Sequence, residues 1–319
     1  MPHFDIFNGD ADGICALVQL RNAEPIDSTL ITGVKRDIKL IARAGAGAGD
    51  TLTVLDISLD KNRAGLVAEL EAGASVWYVD HHFAGEVPDH PELEAIIDTA
   101  PEVCTSLLVD RHLDHRFAAW AVTGAYGDNL DASAEALADR IGLDATQRDL
   151  ARRLGTCINY NGYGSSLEDL HFPPAELFAL VRPFATPFAF IEARAEAFAK
   201  LERGYGDDMA AAAAVEPTRE SSSTAMYTLP DAPWARRVSG VFGNQLAKRT
   251  PARAHAVLTE RANGSYLVSV RAPLERRTGA DDLCRQFETG GGRKAAAGIN
   301  ELPASELPRF IEAFEAQYG

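Results

Sequence analysis

Aspartate and histidine recur in short runs whose side-chain chemistry suits a shared metal centre. Asn8-Gly9-Asp10-Ala11-Asp12-Gly13 sets two carboxylates two residues apart, and Asp56 stands alone in Val-Leu-Asp-Ile-Ser. Asp80-His81-His82 joins a carboxylate to two imidazoles. Each run also has an ordinary structural reading. Asp10 suits a tight turn and a helix N-cap, Asp56 suits a strand-end cap, and the two histidines suit a structural pair. A calcium loop is a further reading of the first run, but its twelfth position is Gln19 and a strand, not a helix, precedes it. Eight histidines in 319 residues make Asp-His-His improbable by chance. Gathered in one crevice, these acids would repel one another, and a pair of divalent cations removes that repulsion. Oxygen-rich ligands with one or two imidazoles suit manganese or magnesium better than a thiolate-bound zinc.

The surrounding pattern says what would position them. Phe4–Asn8, Thr29–Gly33, Thr51–Asp56 and Ser75–Asp80 read as strands, with helical spacing at 13–22 and 60–72. Strand–helix–strand alternation predicts an α/β fold whose parallel sheet carries helices on both faces. Ligands bind such sheets at the carboxyl ends of the strands. Three of the four strands end at Asp10/Asp12, Asp56 and Asp80, so the candidate ligands are expected to converge there.

From Thr105 to about Leu201 the pattern is mostly helical. Thr105 or Ser106 could cap a helix to His112, and 131–142 and 145–158 are amphipathic. The stretch from 159 to about 187 reads as an insertion, its Gly-, Ser- and Tyr-rich first part as an ordered loop, before a long helix near 188–202. A second unit begins near Gly204–Asp208. It is expected to hold a strand at 224–229, a helix near 234–248, and β runs at 254–260 and 266–271 joined by Ala-Asn-Gly-Ser. Helices near 280–287 and 305–317 flank Gly290-Gly291-Gly292-Arg293. The expected domains are 1–202 and a smaller α/β unit, 209–319, facing the first across a cleft that a linker near 203–208 could open and close.

Composition narrows the function classes. The length suits two domains, and 46% hydrophobic with 24% charged residues excludes a largely disordered chain. A net charge of −15 argues against duplex DNA or an anionic membrane as partner. Cys15, Cys104, Cys157 and Cys284 form no Cys-x-x-Cys pair and read as reduced, buried thiols. No basic-apolar leader opens the sequence and no apolar run approaches a membrane span, so a soluble, cytoplasmic protein is expected. Trp77, Trp120 and Trp234 are not interleaved with basic residues as in a single-strand-binding groove, and are assigned to packing.

In order and wording, these motifs resemble the DHH phosphoesterases: Asp10 and Asp12, the lone Asp56, then Asp80-His81-His82. Gly124-Ala125-Tyr126-Gly127-Asp128 resembles the Gly-x-x-x-Asp of that family's last catalytic motif. Ser269-Val270-Arg271 and Gly290-Gly291-Gly292-Arg293…Ala296-Ala297-Gly298 resemble the Ser-x-Arg and Gly-Gly-Gly-His…Ala-Ala-Gly of its associated C-terminal domain. The resemblance spans most of the chain outside the insertion. It implies one metal on Asp10 and Asp56 and a second on Asp12, Asp56, His81 and Asp128, with Asp56 bridging. It implies His82 on a phosphate oxygen, Asp80 orienting its histidine neighbours, and Arg271, Gly290, Gly291, Gly292 and Arg293 on substrate.

Two positions depart from the family. Ile6 stands where relatives carry a histidine, four residues before Asp10, and Arg293 replaces the histidine of the glycine motif. The first weakens one metal site, and the second points to a more anionic substrate end. The activity implied is manganese-dependent hydrolysis, with magnesium as a substitute, of a small phosphorylated substrate. Short single-stranded oligonucleotides or a nucleotide such as 3′,5′-bisphosphoadenosine fit best. Alternatives are a RecJ-like single-strand exonuclease, a pyrophosphatase or exopolyphosphatase, and a non-catalytic nucleotide-binding protein.

Overall fold

In the computed structural model, which describes residues 1–319, the first apolar run forms strand β1 (His3–Phe7) and leads into α1 (Ala11–Ala23). Strands β2 (Thr29–Ile31) and β3 (Thr51–Leu55), helix α2 (Leu59–Glu71), and strands β4 (Ser75–Asp80) and β5 (Leu93–Ile97) follow. All five strands are parallel, in the order β2-β1-β3-β4-β5. Strand β5 escaped the sequence reading because Leu-Glu-Ala-Ile-Ile lies half-exposed at the sheet edge and does not alternate.

Ile6, Leu52, Val54 and Tyr78 join Leu66 and Leu70 of α2 in one apolar layer. Helix α1 takes the other side, and every residue from Ala11 to Arg21 is buried, as for a helix enclosed on all faces. It packs against α3 (Thr105–His112), α4 (Ala118–Gly127) and α6 (Ala145–Asn161), with α5 (Asp131–Arg140) beside α4. Asp144 opens α6 with a reciprocal capping box to Gln147. All four cysteines are buried and unpaired.

The chain divides into two compact units, Met1–Arg203 and Gly204–Gly319. The segment expected to be a linker is helical instead. After α7 (Pro174–Val181), Thr186 caps a short α8 (Pro187–Ala193), and α9 runs unbroken from Ala195 to Ala213. Good helix formers on both sides, including the alanine run from Ala210, carry it past Gly204 and Gly206.

The second unit contains β6 (Arg219–Glu220), β7 (Thr224–Leu229), α10 (Pro233–Arg249), β8 (Ala254–Glu260), β9 (Tyr266–Arg271), α11 (Ala280–Cys284), β10 (Gly290–Arg293), β11 (Ala296–Leu302) and α12 (Leu307–Tyr318). Its sheet runs β10-β11-β9-β8-β7-β6, with β7 and β8 parallel and the other pairs antiparallel. The glycine run is thus an edge strand hairpinned to β11, and not a loop. No helix of the chain is long and apolar enough to cross a membrane.

Candidate metal centre

Strands β1, β3 and β4 are neighbours, and their register aligns Phe7 with Leu55 and Leu55 with Val79. The residues just beyond those positions are the candidate ligands. Asp10 caps α1, its Oδ1 accepting the backbone N–H groups of Asp12 at 3.0 Å and Gly13 at 3.2 Å. The capping reading and the acidic cluster therefore coexist. Asp56 ends β3 in the left-handed region, with φ 58°. That conformation costs a non-glycine residue about 1–3 kcal/mol and concentrates at functional sites. Asp128 caps α4 and reaches the cluster because α4 and α1 nearly touch: a Cβ at Gly127 would lie 2.3 Å from that of Ala11.

His81 carries the centre. Its Nδ1 lies 2.9 Å from the Val103 carbonyl, which can only accept, so Nδ1 bears the proton and Nε2 presents a lone pair. That lone pair faces Asp56 Oδ1 at 3.4 Å, Asp12 Oδ2 at 3.8 Å and Asp128 Oδ2 at 3.9 Å. In the neutral ring that arrangement is repulsive unless a metal cation or a proton lies among the atoms. Donors about 2.1 Å from a shared ion lie about 3.0 Å apart when adjacent and about 4.2 Å apart when opposite. The His81 distances fall inside that range. Asp128 Oδ2 is buried with no hydrogen-bond partner, as an unshared ligand atom would be.

Asp12 is fixed by the start of α3, accepting the backbone N–H groups of Thr105 and Ser106 at 2.7 Å each. Each of its oxygens keeps lone-pair capacity. Burial, and then the charges of Asp10, Asp12, Asp80 and Asp128, push Asp56 well above the usual carboxylate range. Burial also raises Asp128. These residues fit a divalent cation.

Asp80 and His82 play a different part. Asp80 is fully buried, and its Oδ1 lies 2.7 Å from Nδ1 of the half-exposed His82. The carboxylate fixes that ring and its tautomer. Ligand atoms of Asp56, His81 and His82 lie within 4.8 Å of one another, but His82 Nδ1 is already committed to Asp80.

Asp10 is brought beside the cluster but is otherwise engaged. Its Oδ2 holds Lys35 Nζ at 2.5 Å, and the same ammonium donates to Asn159 Oδ1 at 2.9 Å. Burial would raise the Asp10 carboxyl, but Lys35 outweighs it and holds the group at about 2. Burial would likewise favour neutral Lys35, and Asp10 reverses that, keeping the ammonium charged. Ile6 does not face this ion pair as a ligand could; it is fully buried in the apolar layer. His3 is bound to Thr51, Thr53, Asp5 and Arg21 and stands apart from the cluster. Lys35 and Asn159 were not singled out from sequence. Neither sits in a motif, and Asn159 lay in the segment read as a loop, which is the last turn of α6.

In the second unit the expected substrate residues separate. The Arg271 guanidinium donates to Asn244, Ser269 and the carbonyls of Val270 and Gly240, which hold it against its own unit. Gly290 and Gly292 have packing reasons: a Cβ would lie 1.7 Å from the Cys284 carbonyl in the first and 2.5 Å from Ala297 Cα in the second. A Cβ on Gly291 would meet nothing. Arg293 is exposed at the end of β10, with neither an ion pair nor a side-chain hydrogen bond.

No family model and no curated protein matches the sequence. Solved structures do match, over nearly the whole chain. Exonuclease RecJ bound to manganese aligns with 99% of this chain and 89% of its own at a TM-score of 0.65 and 18% identity. RecJ of Thermus thermophilus in complex with Mn2+ gives a TM-score of 0.69 at 19% identity, covering 99% of this chain but 51% of that one. The pGpG-specific phosphodiesterase PggH of Vibrio cholerae gives 0.52 at 14% identity, covering 99% and 100%.

Proposed function

From the DHH fold that this chain shares with RecJ and PggH, we propose that it is a divalent-metal-dependent phosphoesterase acting on short oligonucleotides or dinucleotides, with manganese the preferred ion. The observation that carries this reading is the His81 Nε2 lone pair facing Asp12, Asp56 and Asp128. Those four side chains would hold the ion, which lowers the pKa of bound water toward neutrality and withdraws charge from a phosphoryl group.

The chain's own residues do the rest. The Val103 carbonyl keeps the His81 proton on Nδ1, and the backbone N–H groups of Thr105 and Ser106 hold Asp12 in place. Asp80 accepts from Nδ1 and orients the His82 ring, whose imidazolium form would have an Nε2 proton to donate to a phosphoryl oxygen. A cleft of about 490 Å³ is lined by Arg36, Asp37, Arg43 and Glu168 among others, and by none of the candidate metal ligands.

The test is a panel of dinucleotides, 5′-phosphorylated oligonucleotides of two to ten residues, long single-stranded DNA, 3′,5′-bisphosphoadenosine and polyphosphate. Manganese-dependent release of mononucleotide from the shortest substrates, abolished by chelator, is expected. Turnover confined to long single strands would favour an exonuclease, and no turnover of any member would remove the enzymatic reading.

Arg293 is proposed to hold the anionic end of the substrate, since its fork matches phosphate and nothing in its own unit engages it. Arg293→Ala should raise KM about 10-fold for 5′-phosphorylated dinucleotides and leave KM for their dephosphorylated forms nearly unchanged. Equal changes for both would assign Arg293 to the solvated surface.

A further inference from the structure

The residues that should make a first metal site do not fit one. Asp10, its remaining carboxylate on that side, is already engaged: Oδ1 accepts two backbone N–H groups and Oδ2 holds Lys35. The position four residues earlier is an isoleucine buried in the apolar layer. In place of a metal the fold delivers an ammonium.

Its delivery is built in, not adventitious. The Lys35 backbone is held on both sides, its N–H donating to the Gly162 carbonyl at 2.7 Å and its carbonyl accepting from Asn8 Nδ2 at 3.4 Å. The side chain is 22% exposed and runs to Asp10 and Asn159, with Nζ 5.1 Å from the centre of the Tyr163 ring. Loop, helix end and ring thus converge on one charged atom. The pairing is tight for an ion pair, and Asp10 is almost wholly buried. A second divalent ion would have to displace this ammonium or sit against it, and like charges at such range repel.

We propose that Lys35 is a fixed cation standing in for the first metal, so that the protein works with one divalent ion, on Asp12, Asp56, His81 and Asp128. This rests on the phosphoesterase reading above. Asp10 and Asn159 take two of the three ammonium protons, and the third is the donor for a phosphoryl oxygen. One divalent ion and one ammonium offset most of the charge of Asp10, Asp12, Asp56 and Asp128. A small residual negative charge is the reason substrate capture needs a cationic group elsewhere.

The experiment measures manganese stoichiometry on the intact wild-type chain by equilibrium dialysis, with electron paramagnetic resonance of the bound ion. One manganese per chain with an uncoupled six-line spectrum is expected. Two ions of comparable affinity, or the spectrum of a coupled pair, would overturn the lysine assignment while leaving the phosphoesterase reading standing. No bound manganese would overturn both. Lys35→Met should keep the manganese on its four ligands and lower kcat about 10²-fold, the loss typical of one donor to developing charge. Should that variant unfold, Lys35→Gln removes the charge while keeping a polar side chain, and the same loss is expected with the same stoichiometry. Undiminished kcat in a folded variant of either kind would reduce Lys35 to a packing residue.

Discussion

Asp56→Asn is expected to lower kcat on the best dinucleotide by about 10³-fold or more while leaving the protein folded. The magnitude follows from position, since groups that merely support a ligand are already worth about 10–100-fold, and Asp56 faces both His81 and His82 within 3.8 Å. Asparagine tolerates the left-handed backbone at this site, where φ is 58°. The variant also removes a charge that burial and four neighbouring aspartates disfavour. Its melting temperature in chelator should therefore match or exceed that of the wild type. Loss of activity with gain of stability separates a functional carboxylate from a structural one. Near-normal turnover in Asp56→Asn would place the chemistry elsewhere.

Arg21→Met is expected to cost about 3–5 kcal/mol, as removal of one partner from a buried ion pair does, and to lower the melting temperature by about 10 °C. Arg21 and Asp5 are buried in α1 and β1, and the guanidinium forks onto both carboxylate oxygens at 2.5 and 2.9 Å. His3 and Ser28 complete the cluster. Burial alone would raise Asp5; hydrogen bonds from Arg21, His3 and Ser28 and the charge of Arg21 outweigh it and hold the carboxyl at about 2. The folded state therefore favours the ionised form. This contribution, about 2 kcal/mol, is present above about pH 4 and is lost as the pH falls toward 2. In Arg21→Met the depressing partner is gone, so acid destabilisation should begin at higher pH than in the wild type. Urea unfolding at a series of pH values measures both effects, and coincident pH profiles would show that Arg21 does not set the Asp5 ionisation.

The first unit was legible because its signals are local. Strands that end in turn-forming acids mark both the sheet and its carboxyl edge, so the Asp10/Asp12, Asp56 and Asp80 segments read as neighbouring strand ends. Asp128 came from motif resemblance alone, since nothing in its spacing says that Gly127 lets α4 approach Ala11. What stayed hidden is long-range. Lys35 and Asn159 are 124 positions apart and meet only when α6 packs beside the β2 end. Sequence showed that Arg271 is cationic, but not that Asn244, Ser269 and two carbonyls already use its donors. The resemblance put Gly290 to Gly292 on substrate, but did not show that Gly290 and Gly292 are crowded by Cys284 and Ala297. A helix likewise runs through 203–208, where two glycines read as a linker.

The most direct measurement is a crystal structure of the manganese-soaked protein with data collected at the manganese absorption edge. The account predicts one strong anomalous peak bonded to Asp12, Asp56, His81 Nε2 and Asp128, with Lys35 Nζ still on Asp10. A peak coordinated by other residues, or no peak at a manganese concentration that supports turnover, would contradict it.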